Sequence, residues 1–154
     1  MSVRVSVVLL TLAAAFLIAA PAAEAQWWQR HPGYLHAMSD LRSAYWQIQH
    51  RDADDGEVYR EERAAMSEIR AAYQELKDAS IIDDKDIDDQ PPADFGFGDH
   101  KGRLGTALNL LHRARLDISG EETDSYARGW RNHALNHITN AVHHLQYAMN
   151  YWRY

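Results

Sequence analysis

The final thirty residues, Ser125 to Tyr154, carry the pattern that most restricts what this chain can become. Leu135, Ile138, Val142, Leu145, Met149 and Trp152 recur at i, i+3, i+7, i+10, i+14 and i+17, the spacing of an α-helix face that must be buried against other helices. On the same helix His133, His137, His144, Tyr147 and Tyr151 fall together on a second face, roughly 100–140° from the first at 100° per residue. One face is built to pack, and the other carries imidazoles and phenols.

Three more stretches repeat the packing pattern. Tyr34, Met38, Leu41, Tyr45 and Ile48, with Ala37 and Ala44 beside them, predict helix one, opening near Pro32 and ending between His50 and Asp55. Asp54-Asp55-Gly56 is a turn, after which Val58, Ala65, Met66, Ile69, Ala72, Tyr73 and Leu76 form the stripe of helix two, closing near Ala79 or Ser80. Asp99 caps a third helix with the stripe Leu104, Ala107, Leu108, Leu111, Ala114 and Ile118, closed by Ser119-Gly120, and Thr123 or Asp124 caps the fourth.

A helix with one apolar stripe is not stable alone, so the predicted fold is all-α: a four-helix bundle with antiparallel neighbours. The short connections at 51–56 and 119–124 make helices one and two, and three and four, antiparallel pairs. The connection from Ile81 to Gly98 is longer than the roughly 2–8 residues usual between bundle helices and leaves the order of the pairs open. It is acidic, with eight aspartates from Asp78 to Asp99 against one Lys85. Asp84-x-Asp86-x-Asp88 begins like a calcium loop, but Asp89 stands where the glycine belongs and Phe95 where the bidentate glutamate belongs, so the motif fails. Ile81, Ile82, Ile87, Phe95 and Phe97 are expected to tuck over the end of the bundle, with Pro91-Pro92 stiffening the path and the aspartates in water.

Residues 1–25 read as a cleaved signal peptide: Arg4, then an apolar run from Val5 to Ala20, then Ala23-Glu24-Ala25 as a small-x-small site. The mature domain is then residues 26–154, and its expected place is the periplasm or the cell exterior. No later stretch approaches the roughly 20 apolar residues of a membrane span. Arg4 and Glu24 cancel, so the net charge of −6 survives cleavage; such a surface does not suit the nucleic acid backbone. The absence of cysteine excludes disulfides, thiolate zinc sites and covalent c-type haem.

The histidines are the candidate chemistry. His133 and His137 at i, i+4 form a two-ligand edge for zinc, copper or nickel. His144 is too far along to join them, because eleven residues of helix span about 16 Å. His36 and Asp40 form a second edge on helix one, and placing the start of helix one beside the end of helix four would complete it with His144. Haem is not expected, since His143 and His144 lie off the core stripe and Met38 reads as core filler. No nucleophile elbow, zinc-protease motif or phosphate loop is present, and no catalytic residue is expected. Trp46 lies well off its helix's stripe, and Trp46 and Trp130 read either as contact surfaces or as covers over the edges of the inter-helix grooves. The functional expectation is an exported binding protein, first for a transition metal through these histidines, and second for a protein partner as a non-metal scaffold.

The segments 31–42, 83–92, Gly102-Arg103-Leu104 and 128–138, which include His31-Pro32-Gly33-Tyr34-Leu35-His36 and Arg128-Gly129-Trp130-Arg131-Asn132-His133, resemble small exported bacterial proteins of unassigned function. That resemblance implies the same helical architecture and a shared acidic loop, and it carries no activity or site residue.

Overall fold

The computed structural model describes residues 33–50, 56–96, 100–120 and 125–151, all within the unit His31–Tyr154. The leader, residues 26–31, the caps Asp99, Thr123 and Asp124, Phe97 and Trp152 lie outside the described residues. Among the described residues there are four helices: α1 Gly33–Gln49, α2 Gly56–Ile82, α3 His100–Asp117 and α4 Ser125–Tyr151. None of them is long and apolar enough to cross a membrane.

All four helices share one heptad rule, a large side chain followed three residues later by alanine. It runs Tyr34/Ala37 and Leu41/Ala44 in α1, Ile69/Ala72 and Leu76/Ala79 in α2, Leu104/Ala107 and Leu111/Ala114 in α3, and Ile138/Ala141 and Leu145/Ala148 in α4. Every one of these alanines is fully buried. The large residues fill the core while the alanines let helix backbones approach closely. The deepest line of α4 is therefore Ala127, Ala134, Ala141 and Ala148, and the expected stripe residues Leu135 and Met149 are only partly buried at its edge. Glu62 occupies the large-residue place in the first α2 heptad and is fully buried there.

The closest pairs are α2 with α4 and α1 with α3. In the first, Glu61 meets His144 and Glu68 meets His137, so the helices are antiparallel. In the second, Asp40 meets Arg113, and a Cβ at Gly33 would overlap the Asp117 carbonyl oxygen, so only glycine fits at the start of α1. Helix α1 also runs antiparallel to α2, with Met38 against Ser80 and Tyr45 beneath Arg70. Among the described residues the backbones of α2 and α3 stay more than 8 Å apart, as do those of α1 and α4. These are the diagonals of a square, and the helices on each diagonal run parallel.

That arrangement explains the long connection. A parallel diagonal step from the end of α2 to the start of α3 must travel the length of the bundle. Helix α2 stops in a turn where Lys85 N–H donates to Ser80 O at 2.9 Å, and Asp84 adopts a left-handed φ of 53°. From Pro91 the chain runs extended along α1, as proline favours. Ser39 Oγ donates to Pro92 O at 3.2 Å, Asp94 N–H donates to Ser43 Oγ at 2.8 Å, and Gln47 Nε2 donates to Gly96 O at 2.9 Å. Four helical residues rise about 6 Å and two extended residues about 6.6 Å, so each turn of α1 meets every second residue of the strap. The connection thus lies along the side of the bundle rather than over its end, and Ile81, Ile82 and Phe95 stay exposed.

Candidate functional site

Two arrangements of polar and aromatic side chains stand out on this frame. The first is a ladder of histidine–carboxylate pairs along α2 and α4. His144 Nδ1 lies 2.7 Å from Glu61 Oε2 and His137 Nδ1 lies 2.7 Å from Glu68 Oε2. A carboxylate only accepts, so each Nδ1 carries the proton and each Nε2 is left as the second valence of the ring. Glu61, Glu68 and Glu75 are seven residues apart, as are His137 and His144, which keeps the rungs in one antiparallel register. The third rung breaks because Trp130 stands where the next histidine would be. Glu75 turns instead to His133, 3.4 Å away, and its Oε2 is buried without a hydrogen bond. Trp130 meets the His133 ring edge-on at 6.4 Å.

The hydrogen bond from His144 holds the Glu61 carboxyl below its ordinary range, against a smaller opposing effect of desolvation. A depressed folded pKa contributes stability above the unfolded pKa, and that stability is lost as pH falls through the folded value. His144→Gln is therefore expected to move the acid-unfolding midpoint to higher pH, while leaving stability unchanged once Glu61 is protonated in both the folded and the unfolded chain. A circular dichroism acid titration of both proteins reads this, and coincident curves would count against the rung. Asp40 and Asp117 act in the opposite sense. Burial raises both, opposed at Asp40 by Arg113 and reinforced at Asp117 by the Asp40 charge, so each costs stability when ionised and is relieved as pH falls.

The expected metal residues are distributed as follows. His133 and His137 lie one turn apart on α4, each turned to its own glutamate. His36 and Asp40 lie on α1, where Asp40 takes a bidentate grip from Arg113, with Nε at 3.1 Å and Nη2 at 2.6 Å. The trio His36, Asp40 and His144 is not assembled. Helices α1 and α4 are diagonal and parallel, so the start of α1 is level with the start of α4, whereas His144 is near its end. Among the described residues no group of three or more histidines and carboxylates is placed to hold one ion.

The second arrangement is an open groove of about 570 Å³ between α1, α2 and the strap. Leu41 and Ile69 form its floor, Tyr45, Trp46, Tyr73 and Phe95 its walls, and Arg42 and Arg70 stand at its rim. Trp46 is set by Phe95 on one side, centroids 5.3 Å apart, and by the stacked His50 ring at 4.1 Å on the other. Gln90 pins the strap at the groove's edge, donating to Ile87 O at 2.6 Å and to Tyr73 Oη at 3.3 Å. The groove leaves no signature in the helix stripes, because Phe95 comes from a segment about fifty residues from Trp46 in sequence. A usable signal was Ser39, Ser43 and Gln47, polar residues at i, i+4 and i+8 that are almost fully buried in α1 and hold the strap. Comparison with known proteins returned no matching family, no curated protein and no solved structure.

Proposed function

We propose that this chain is a binding protein and that the groove between α1, α2 and the strap seats a compact apolar or aromatic ligand. The observation that carries the reading is the lining: an aliphatic floor, four aromatic walls and few polar groups, in a volume within the roughly 300–1,000 Å³ of small-molecule sites. Planar walls such as Trp46 and Phe95 offer stacking surface at little conformational cost. The transition-metal reading rests on less. Carboxylates on Nδ1 are the arrangement that orients metal-binding imidazoles, yet His133 and His137 supply two ligands where zinc takes three or four from protein. The export reading, which rests on residues 1–25, would put the ligand outside the cytoplasm.

The test is a titration with N-phenyl-1-naphthylamine, an uncharged aromatic probe whose fluorescence rises in apolar surroundings. Saturable binding is expected in the micromolar range, and Phe95→Ser, which removes an exposed wall rather than core, is expected to weaken it on the order of tenfold. No saturation by about 100 μM probe would sink the reading.

A further inference from the structure

The rim of the groove points to the kind of ligand, an inference that rests on the groove being a binding site. We propose that it selects amphipathic anions: a compact aromatic or aliphatic body bearing one carboxylate or sulfonate, with Arg42 and Arg70 engaging the anionic group from opposite walls. These arginines come from α1 and α2 and both are exposed. Among the described residues Arg42 Nη1 has only the Gln90 Oε1 carbonyl at 3.4 Å, at the long limit of a hydrogen bond. Among the same residues the Arg70 guanidinium has only the face of Tyr45, 5.8 Å from the ring centroid. Neither is paired with a carboxylate among the described residues.

Several other charges are matched across helices or within them. Asp40 is taken by Arg113, Glu61 by His144 and Arg60, and Glu68 by His137. In a chain of net charge −6, two guanidinium groups left beside an apolar, aromatic hollow are complementary to an anion with an apolar body. Guanidinium suits this task because its planar fork donates two parallel hydrogen bonds to an oxyanion while its face stays on an aromatic ring. Arg70 on Tyr45 is already in that posture, and Gln90, bonded to Tyr73, holds Arg42 toward the same edge. The uncharged wall residues set affinity for the body, and the arginines set preference for the head.

The test uses a matched pair of probes. 8-Anilinonaphthalene-1-sulfonate is N-phenyl-1-naphthylamine with a sulfonate added, so the ratio of their dissociation constants reports the head group. The folded protein is expected to bind the sulfonate about tenfold more tightly at low ionic strength, with the preference shrinking as salt rises toward about 0.5 M. The double variant Arg42→Gln, Arg70→Gln is expected to abolish the preference, read as the ratio of the two dissociation constants so that any change common to both probes cancels. A cooperative thermal transition in each sample excludes dye uptake by a loosened core. Equal affinity for the two probes, or a sulfonate preference that survives the double variant, would overturn anion selection while leaving the groove a binding site. Failure of the uncharged probe together with the sulfonate would overturn the groove itself.

Discussion

Replacing Ala72 by leucine is expected to lower the melting temperature by on the order of 10 °C, corresponding to about 3 kcal/mol of overpacking in a domain of this size. Ala72 is fully buried in the middle of α2, one turn beyond Glu68, and Glu68 reaches His137 on α4. The facing line on α4 is Ala134, Ala141 and Ala148, equally buried. Three added carbons have no space between two backbones held together by alanines, so the helices must separate or the leucine must adopt a strained rotamer. Separation also stretches the Glu68–His137 rung, which is why the expected effect lies at the upper end for such substitutions. Ala72→Val should fall between the two, and Ala71→Leu, at a half-buried position next door, should cost much less. Differential scanning calorimetry of the series would read this grading, and an Ala72→Leu protein as stable as the parent would contradict close α2–α4 packing.

Leu111→Ala is expected to cost about 2–5 kcal/mol, through lost burial and the cavity left behind. Leu116→Ala, five residues further along the same helix, should change stability by less than about 0.5 kcal/mol. The contrast follows from facing: Leu111 is completely buried, whereas Leu116 is 73% exposed. Both are leucines in α3, so helix propensity and composition are held constant and only orientation differs. Urea denaturation of the two variants measures it, and similar losses would show that α3 is rotated away from the face described.

Which residues form helices was legible along the chain. Met38, Leu41 and Ile48 are buried where their spacing predicted, as are Ile69 and Leu76, Leu104 and Leu111, Ile138 and Leu145. Helix α2 ran to Ile82, past Ser80, because Ser80 returns its hydroxyl to Leu76 O at 2.8 Å and stays within the helix. The alanine line of α4 escaped because alanine contributes little to a hydrophobic stripe, while Leu135 and Met149 contribute much and sit at its margin. The histidines were visible as a face, but their partners were not. Glu61 and Glu68 lie off the apolar stripe of helix two, and only the register of α2 against α4 puts each opposite an imidazole. The same holds for the groove, whose wall Phe95 and rim Arg42 and Arg70 share no local pattern.

Sequence alone thus determined the four helices of the described residues, the core-facing side of each and the long connection between the second and third, because helical periodicity and stripe burial are local and the hydrophobic drive has no preferred partner. Tertiary structure decided which helices are neighbours, that α2 and α3 lie parallel on a diagonal, and that the connection runs beside α1. Those choices rest on directional or short-range contacts, namely the alanine approach, the Glu61–His144 and Glu68–His137 rungs, and the Ser39, Ser43 and Gln47 hydrogen bonds. Such contacts join residues some fifty to eighty positions apart, and only the packed chain brings them within reach.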